Sequence, residues 1–173
     1  MTQPTYFEVF DTAIGPLTIV VNEEGAITDL YTSDAAAAMS ARKGCVPSTG
    51  RAEEPKRQLR EYAEGRLKEF DLKLEPNGSD FQKSVWGQLV EIPYGETRTY
   101  GQLALMLGNK NASRAVGRAN ATNPISIIVP CHRVIGTSGE LTGYAGGLAM
   151  KQRLLELEGV LRPTLFDSTD LES

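Results

Sequence analysis

Apolar residues in the first third of the chain occur in short runs separated by residues that favour turns. Residues 5–10, 16–21 and 26–31 are rich in β-branched and aromatic side chains, and turn-forming residues 14–16 and 22–25 lie between them. Short strands joined by tight turns predict an antiparallel meander.

The spacing of apolar residues then changes to every three or four positions. Residues 54–70 fit one amphipathic helix, whose apolar face consists of Leu59, Tyr62, Ala63, Leu67 and Phe70. Residues 35–38 fit a single helical turn before it. Strands followed by a helix predict a small α/β unit.

Residues 75–78, Glu-Pro-Asn-Gly, are the best candidate for a linker, because proline and glycine interrupt both patterns. We therefore expect an N-terminal α/β domain over residues 1–77 and a mostly helical C-terminal domain over residues 78–173. Residues 160–173 end in acidic side chains and are expected to form a loose tail.

Two capping boxes predict helix starts in the second half of the chain. Ser79 with Gln82 begins a helix whose apolar stripe is Phe81, Val85, Leu89 and Ile92, with Trp86 beside it as a core residue. Thr99 with Gln102 begins a second helix that ends near Leu107. Asn111 is expected to cap a third, which ends near Ala121.

The second and third of these helices are joined by a glycine turn, which is typical of a helix-turn-helix. One face of the third helix suits packing and consists of Ala112, Ala115, Val116 and Ala119. The other interleaves two cations with very small residues and consists of Arg114, Gly117, Arg118 and Ala121. Such a face can lie close against a duplex.

The candidate chemistry lies just beyond these helices. Residues 125–129 predict a short buried strand closed by Pro130, and Cys131, His132 and Arg133 follow directly. A thiol beside an imidazole and a guanidinium at the end of a rigid strand is how a nucleophilic sulfur would be mounted. The alternative is a buried cysteine in a tight turn.

A reactive cysteine needs help from its neighbours. A free thiol with a pKa near ~8.5 is mostly protonated at pH 7, and lowering that pKa to about 6 would make thiolate the main form. Neighbouring side chains on an extended backbone point in opposite directions. Contact between Cys131 and His132 therefore requires a turn after Pro130 or a bridging water.

The last helix, which follows Gly146 and Gly147, supplies an acid for the histidine. Glu158 shares a face with Leu154 and Leu155, and an acid on an apolar stripe is costly unless it has a partner. Glu158 is therefore predicted to orient His132.

Composition narrows the classes of function. The chain has 173 residues, 40% hydrophobic and 23% charged, as in ordinary globular proteins. It has no apolar run long enough to span a membrane, and residues 1–4 do not resemble a signal peptide.

Its two cysteines, Cys45 and Cys131, lie in unlike contexts, so we expect no disulfide and a reducing cytoplasm. Two cysteines and one histidine do not make the usual four-ligand zinc site, and no metal or cofactor is expected.

The charge is unevenly distributed. The net charge is −4, yet no Asp or Glu lies between Thr97 and Gly139. That window carries five cations: Arg98, Lys110, Arg114, Arg118 and Arg133. A local positive surface of this kind is what phosphate contact requires.

Two motifs in order resemble a known family. Residues 130–134, Pro-Cys-His-Arg-Val, followed by residues 143–147, Gly-Tyr-Ala-Gly-Gly, resemble the active-site signature of O6-alkylguanine-DNA alkyltransferases. Residues 113–117 resemble the recognition helix of that family. The similarity is strong from Phe81 to Gly159 and weaker before Pro76. It implies an RNase H-like N-terminal domain and a C-terminal helix-turn-helix.

The resemblance implies direct repair of O6-alkylguanine, and of O4-alkylthymine, in double-stranded DNA. Cys131 would accept the alkyl group irreversibly, His132 would act as a base through water, Glu158 would polarise it and Asn123 would brace the turn. A damaged base inside a duplex must be flipped out of the base stack before a thiolate can reach it. Arg114 would fill the gap in the stack.

The remaining site residues follow from the same similarity. The residues that would contact DNA in the minor groove are Ser113, Arg114, Ala115, Gly117, Arg118 and Tyr100. The substrate pocket would comprise Tyr100, Val134, Tyr144 and Ala145. The expected partner is DNA bearing O6-alkylguanine, bound by a monomer, alone or cooperatively, without a membrane.

Two departures and three rival classes bear on this interpretation. Ala145 stands where many relatives have serine, so one side-chain hydrogen bond to the guanine oxygen is lost, and the zinc ligands of some relatives are missing. A non-enzymatic lesion-binding relative would lack Cys131. A cysteine hydrolase would need a separate, distant histidine. A plain helix-turn-helix regulator would leave Cys131, His132 and Glu158 unexplained.

Overall fold

The computed structural model describes residues 3–33 and 43–162. The helical turn expected at residues 35–38 and the tail beyond residue 162 lie outside the described residues.

The N-terminal part contains the predicted meander. Strands β1 (Thr5–Thr12), β2 (Gly15–Asn22) and β3 (Ile27–Tyr31) pair antiparallel, and the short β4 (Val46–Pro47) pairs parallel with β1, which gives the order β3-β2-β1-β4. The outer edge of β3 is paired as well. Leu30 donates to the carbonyl of Pro124 and accepts from Ser126, so the sheet contacts the segment that leads to Cys131.

Helix α1 (Glu53–Ala63) is shorter than predicted. Gly65 has a φ of +81°, a conformation that suits glycine and ends the helix, so the expected continuation to Phe70 is wrong. Leu67 and Phe70 still pack partly buried against the core, from the segment after the helix. A helical spacing of apolar residues thus continued beyond the helix itself.

The capping boxes begin helices where expected. Helix α2 (Asp80–Val90) starts at Ser79, and helix α3 (Tyr100–Met106) starts at Thr99; both boxes have both hydrogen bonds. The indole Nε1 of Trp86 donates to the carbonyl of Ala119, which ties α2 to the next helix and places Trp86 in the core. Phe81, expected in the stripe of α2, is exposed.

Helix α4 (Ser113–Ala121) packs on α2 and α3. Its N-cap is Ala112 without a side-chain hydrogen bond, so the expected cap by Asn111 is wrong. Asn109 instead supplies the hydrogen bonds before the helix. Its Oδ1 accepts from the backbone N–H of Asn111, and its carbonyl accepts from the backbone N–H of Ala112. The turn orders its own backbone before the helix begins.

The segment 125–129 is a buried turn and not the predicted strand. Its backbone closes on itself, since Val129 donates to the carbonyl of Ile125, and Ile127 has a φ of +71°. Asn123 makes this possible: its Nδ2 donates to the carbonyl of Val129 at 2.8 Å, and its Oδ1 accepts from the backbone of Ile125 at 3.0 Å. Buried backbone groups need partners, and here a side chain supplies what a strand ladder would have supplied.

A single turn of 3₁₀ helix (Cys131–Arg133) follows, then β6 (Val134–Ile135), which pairs parallel with β5 (Arg98–Thr99), and helix α5 (Leu148–Leu157). One hydrophobic core joins both halves of the chain, because side chains of β2, β3 and α1 belong to the same buried cluster as those of α2 to α5. The cluster extends to Cys131 itself.

Candidate active site

Cys131 lies at the inner end of the 3₁₀ turn and is only 3% exposed. Burial raises the pKa of its thiol to about 11, and the nearby Asn123 and Lys151 offset only part of that effect. A resting thiolate with a pKa near ~6 is therefore not present. Before substrate arrives, the sulfur is a protonated thiol.

His132 contacts Glu158, as the apolar stripe of the last helix predicted. The imidazole Nε2 lies 2.7 Å from Oε2 of Glu158, and both side chains are buried. Burial lowers the pKa of His132, the carboxylate opposing it, so the ring is neutral at pH 7. A neutral ring that donates from Nε2 has a bare Nδ1. That atom has no hydrogen-bond partner among the described residues.

Glu158 accepts hydrogen bonds from two further residues. Arg133 approaches it with two nitrogens, Nε to Oε1 at 2.8 Å and Nη2 to Oε2 at 2.9 Å. The hydroxyl of Tyr62 donates to Oε2 at 2.5 Å. Despite burial, the bonds from His132 and Arg133 hold the pKa of Glu158 down at about 2, so it is a carboxylate.

Arg133 therefore does not belong to the positive surface to which its sequence position assigned it. Its guanidinium is buried, pairs with Glu158, and donates from Nη1 to the carbonyl of Ile92 at 2.6 Å. Arg98 lies near Glu96, with 3.1 Å between Nη2 and Oε1. The basic window thus leaves Lys110, Arg114 and Arg118 as its exposed cations.

Lys151 is a site residue that sequence reasoning missed. Its buried Nζ donates to the carbonyls of Val134 and Thr142, each at 2.5 Å, and so ties α5 to two points of the segment that follows the 3₁₀ turn. Burial lowers the pKa of Lys151 to about 8. The same stripe that revealed Glu158 contains Lys151, seven positions earlier.

Tyr62 was also missed as a site residue, because a tyrosine on the apolar face of a helix reads as core. Its burial fits that expectation, whereas its bond to Glu158 carries no signal in the sequence. Only the fold brings α1 to the end of α5.

The predicted pocket residues come from the start of α3, from β6 and from the segment before α5. The hydroxyl of Tyr100 lies 3.0 Å from Oγ1 of Thr142, and its ring faces Gly117 of α4. Val134 and Tyr144 are buried, whereas Ala145 is exposed. Gly146 packs tightly, since a Cβ there would lie 2.3 Å from Oγ1 of Thr32, which follows β3.

Five of the six predicted DNA-contacting residues lie on α4, and the sixth, Tyr100, begins α3. Arg114 and Arg118 are exposed, and Ser113, Ala115 and Gly117 are half-buried. Added bulk at Gly117 would meet only ordinary contact with Tyr100, with 3.8 Å as the shortest distance. The protein itself therefore does not require glycine at this position.

Over residues 3–33 and 43–162, no three His, Cys, Asp or Glu side chains are grouped so that they could hold a metal ion. No helix in these ranges is long and apolar enough to cross a membrane.

A cavity of about 400 Å³ is lined by Phe70, Tyr94, Ile128 and Arg133 among others. Cys131 is not among its lining residues.

Comparison with known proteins agrees with the geometry. Residues 80–160 match the DNA-binding domain of 6-O-methylguanine DNA methyltransferase. The methylated-DNA–protein-cysteine methyltransferase of Methanosarcina acetivorans is 51% identical over 89% of this chain and 98% of its own. That of Mycobacterium tuberculosis is 47% identical over 94% of this chain and 99% of its own.

Solved structures show the same fold. The crystal structure of Mycobacterium tuberculosis O6-methylguanine methyltransferase has a TM-score of 0.80 and 45% identity, covering 94% of this chain and 99% of that one. The structure of the same organism's protein in complex with DNA has a TM-score of 0.81 and 47% identity, covering 88% and 92%.

The fold and the matched domain define a class of DNA-repair enzymes that transfer alkyl groups from DNA to a protein cysteine. The chain belongs to the family of methylated-DNA–protein-cysteine methyltransferases.

Proposed function

We propose that the protein repairs O6-alkylguanine, and also O4-alkylthymine, by flipping the damaged base out of duplex DNA and moving its alkyl group irreversibly to Cys131. The observation that carries this proposal is that Cys131 and His132 share one buried turn, where His132 is hydrogen-bonded to Glu158 at the end of α5. Membership of the family supplies the class of substrate.

The proposed proton path begins at the thiol. Since Nε2 of His132 donates to Glu158, its Nδ1 is free to take the proton of Cys131 through a water molecule. The thiolate then forms a bond to the alkyl carbon while the bond from that carbon to the base oxygen breaks. The electron pair of the broken bond stays on the base, which takes up the proton.

Single turnover follows from this chemistry. A thioether offers no leaving group that would regenerate the thiolate, so each molecule would react once. Burial also explains why the thiol can remain protonated at rest: the thiolate needs to form only when the substrate is in place.

We propose that α3 and α4 act as a helix-turn-helix whose second helix enters the minor groove. Arg114 would fill the place of the flipped base, and Ser113, Ala115, Gly117 and Arg118 would contact the DNA around it. The solved complex of a 47% identical relative with DNA supports DNA as the partner. Tyr100 would assist flipping, since it lies between α4 and Thr142.

The proposed pocket for the flipped base is formed by Tyr100, Val134, Tyr144 and Ala145. The backbone N–H of Ala145 makes no hydrogen bond with another described residue, so it can donate to the base oxygen in place of the serine hydroxyl. Asn123 would hold the turn in shape through its bonds to Ile125 and Val129.

We further propose an RNase H-like N-terminal domain over residues 1–77, a C-terminal domain over residues 78–173, and a monomer that binds damaged DNA. A reducing compartment such as the cytoplasm suits the two free cysteines, Cys45 and Cys131, because the acceptor thiol must stay reduced.

Mapping the adduct tests the main proposal. The protein is incubated with duplex DNA containing O6-methylguanine, and its peptides are analysed by mass spectrometry, with a Cys45→Ser variant as the matched control. One methyl group per molecule on Cys131 is expected in both proteins. Turnover beyond one methyl group per molecule, or methylation elsewhere, contradicts the proposal.

The role of Arg114 has a test of its own. Arg114→Ala should slow repair of duplex DNA much more than the reaction with free O6-benzylguanine, because only the duplex requires flipping. Equal losses on the two substrates would remove the role of Arg114 in the base stack.

A further inference from the structure

Tyr62 lies on α1, 96 positions before Glu158, yet its hydroxyl reaches the carboxylate that contacts the histidine. Oε2 of Glu158 accepts from three donors: Nε2 of His132 at 2.7 Å, Nη2 of Arg133 at 2.9 Å and Oη of Tyr62 at 2.5 Å. The phenol and the imidazole therefore share one acceptor atom.

The surroundings fix the position of this hydroxyl. The ring of Tyr62 is fully buried, with the ring of Phe70 at 5.4 Å and that of Tyr94 edge-on at 6.2 Å. Phenylalanine would fill the same space. The hydroxyl is thus separable from the packing of the ring, and its only hydrogen bond among the described residues is to Glu158.

A donor shared in this way changes the basicity of the carboxylate. Each hydrogen bond to an anion favours its charged form and reduces its pull on other protons. The other charged or titratable groups near His132 and Glu158 are Arg133, Lys151, Cys131, Tyr94 and Tyr144. Of these, Arg133 also bonds to the carboxylate, through a cation that cannot lose its charge.

We propose that Tyr62 is a positioning residue of the reaction: it holds Glu158 in place and limits how strongly that carboxylate raises the basicity of His132. This rests on the proposed role of His132 as the base. It gives the N-terminal part of the chain a direct contact with the catalytic relay.

The chain has only one histidine, so a single imidazole signal in nitrogen-detected NMR reports on His132. In Tyr62→Phe, Oε2 of Glu158 loses a donor and attracts the imidazole proton more strongly. The imidazole pKa, and with it the acid limb of the transfer rate, should rise by about half a pH unit. The rate below that limb should fall about threefold.

Tyr94→Phe is the matched control. The ring of Tyr94 packs against that of Tyr62. Its hydroxyl donates to the carbonyl of Leu157 at 3.3 Å and not to Glu158. The imidazole signal and the acid limb should therefore stay where they are in the unaltered protein. Equal behaviour of Tyr62→Phe and Tyr94→Phe overturns the proposal.

A second variant keeps the ring and the hydroxyl. Replacing Tyr62 with 3-fluorotyrosine strengthens the donor, so the imidazole pKa should move down, opposite to Tyr62→Phe. Movement in the same direction, or none, means that the hydroxyl has only a packing role. If the unaltered protein accepts no alkyl group on Cys131, the proposed function fails; if it does and these shifts are missing, only the role of Tyr62 fails.

Discussion

Cys131 and Cys45 differ in how far water can reach them. Cys131 is 3% exposed, whereas Cys45 is half-buried and its sulfur accepts a hydrogen bond from Thr5 at 3.1 Å. The proposed acceptor thiol is therefore the less accessible of the two.

Iodoacetamide should react slowly with Cys131. Burial raises its pKa to about 11, so at pH 7 the thiolate fraction is a few hundredfold below that of a free cysteine, whose pKa is ~8.5. The rate in a Cys45→Ser variant should rise with pH up to about 11, while O6-benzylguanine labels Cys131 readily at pH 7. Unfolding in urea serves as the control and should restore ordinary reactivity. A native rate equal to that of free cysteine contradicts the pKa.

Glu158→Gln should destabilise the protein by about 3 kcal/mol at pH 7, because it leaves the buried guanidinium of Arg133 without its counter-charge. The folded-state pKa of Glu158 is lowered to about 2, so its contribution is complete above the usual 4.5 and is lost as the pH falls from 4.5 towards 2. Urea unfolding at pH 7 and pH 3 measures both effects.

Glu156→Gln on the same helix is the control, since Glu156 is only half-buried and should cost little. An acid dependence that persists unchanged in Glu158→Gln would show that other carboxylates cause it.

At the residue level, the sequence predicted contacts of charged side chains whose burial costs free energy unless they have a partner. Glu158 stood on an apolar stripe and therefore needed His132, and Lys151 on the same stripe could have been found by the same argument. Arg133 was misplaced because its neighbours suggested a basic surface. Nothing in the sequence marks Tyr62, whose bond depends on how α1 meets α5.

Among the elements, α4 combines a buried face with an exposed face of low bulk. Gly117 is a helical position where the protein leaves room for a methyl group. Its small size is therefore better explained by what approaches the helix from outside.

Gly117→Ala should raise the free energy of unfolding by about 1 kcal/mol, because alanine is the better helix former. It should also weaken binding to duplex DNA on the order of tenfold, since the added methyl group would overpack the contact with DNA. Thermal unfolding and fluorescence anisotropy measure the two quantities.

Gly87→Ala on α2 is the matched control, because it lies on a helix too and a Cβ there would meet nothing within 4 Å. It should stabilise the protein to a similar degree without changing DNA affinity. If both variants bind DNA as the unaltered protein does, α4 does not approach DNA closely at position 117.

Capping chemistry made helix starts predictable, whereas helix ends and the active turn were not. Ser79 and Thr99 have both bonds of their capping boxes, but α1 ends at Ala63 and not at Phe70. The apolar run 125–129 was predicted to be a strand because its composition indicates burial but not the backbone conformation. Its turn depends on Asn123, whose side chain supplies the missing hydrogen bonds.

Over the whole molecule, a net charge of −4 coexists with the exposed cations Lys110, Arg114 and Arg118. If Lys110 and Arg118 contact phosphates while Arg114 enters the base stack, the logarithm of the DNA affinity should fall against that of the salt concentration with a slope of about −2. Arg118→Ala should reduce the slope to about −1. A salt titration by fluorescence anisotropy measures it.

Arg57→Ala is the control, because Arg57 lies on α1 and pairs with Glu54 and Glu61. It should leave the slope unchanged. A slope near zero for the unaltered protein would mean that the basic face does not bind phosphate.

Composition suggested a division near residues 75–78, but the core does not stop there. One hydrophobic cluster includes side chains from both sides, and the hydroxyl of Tyr62 donates to Glu158 across the division. Breaks in sequence pattern show where the chain turns. They do not show which side chains meet afterwards.

The bond between Tyr62 and Glu158 limits the modularity of this protein. A chain cut near residue 77 would retain the thiol, the histidine and the acid, but Oε2 of Glu158 would have two donors where it now has three. The part of the chain after residue 77 therefore does not carry its complete hydrogen-bond network when it is fused to another protein. Its electrostatic setting includes an atom contributed by α1.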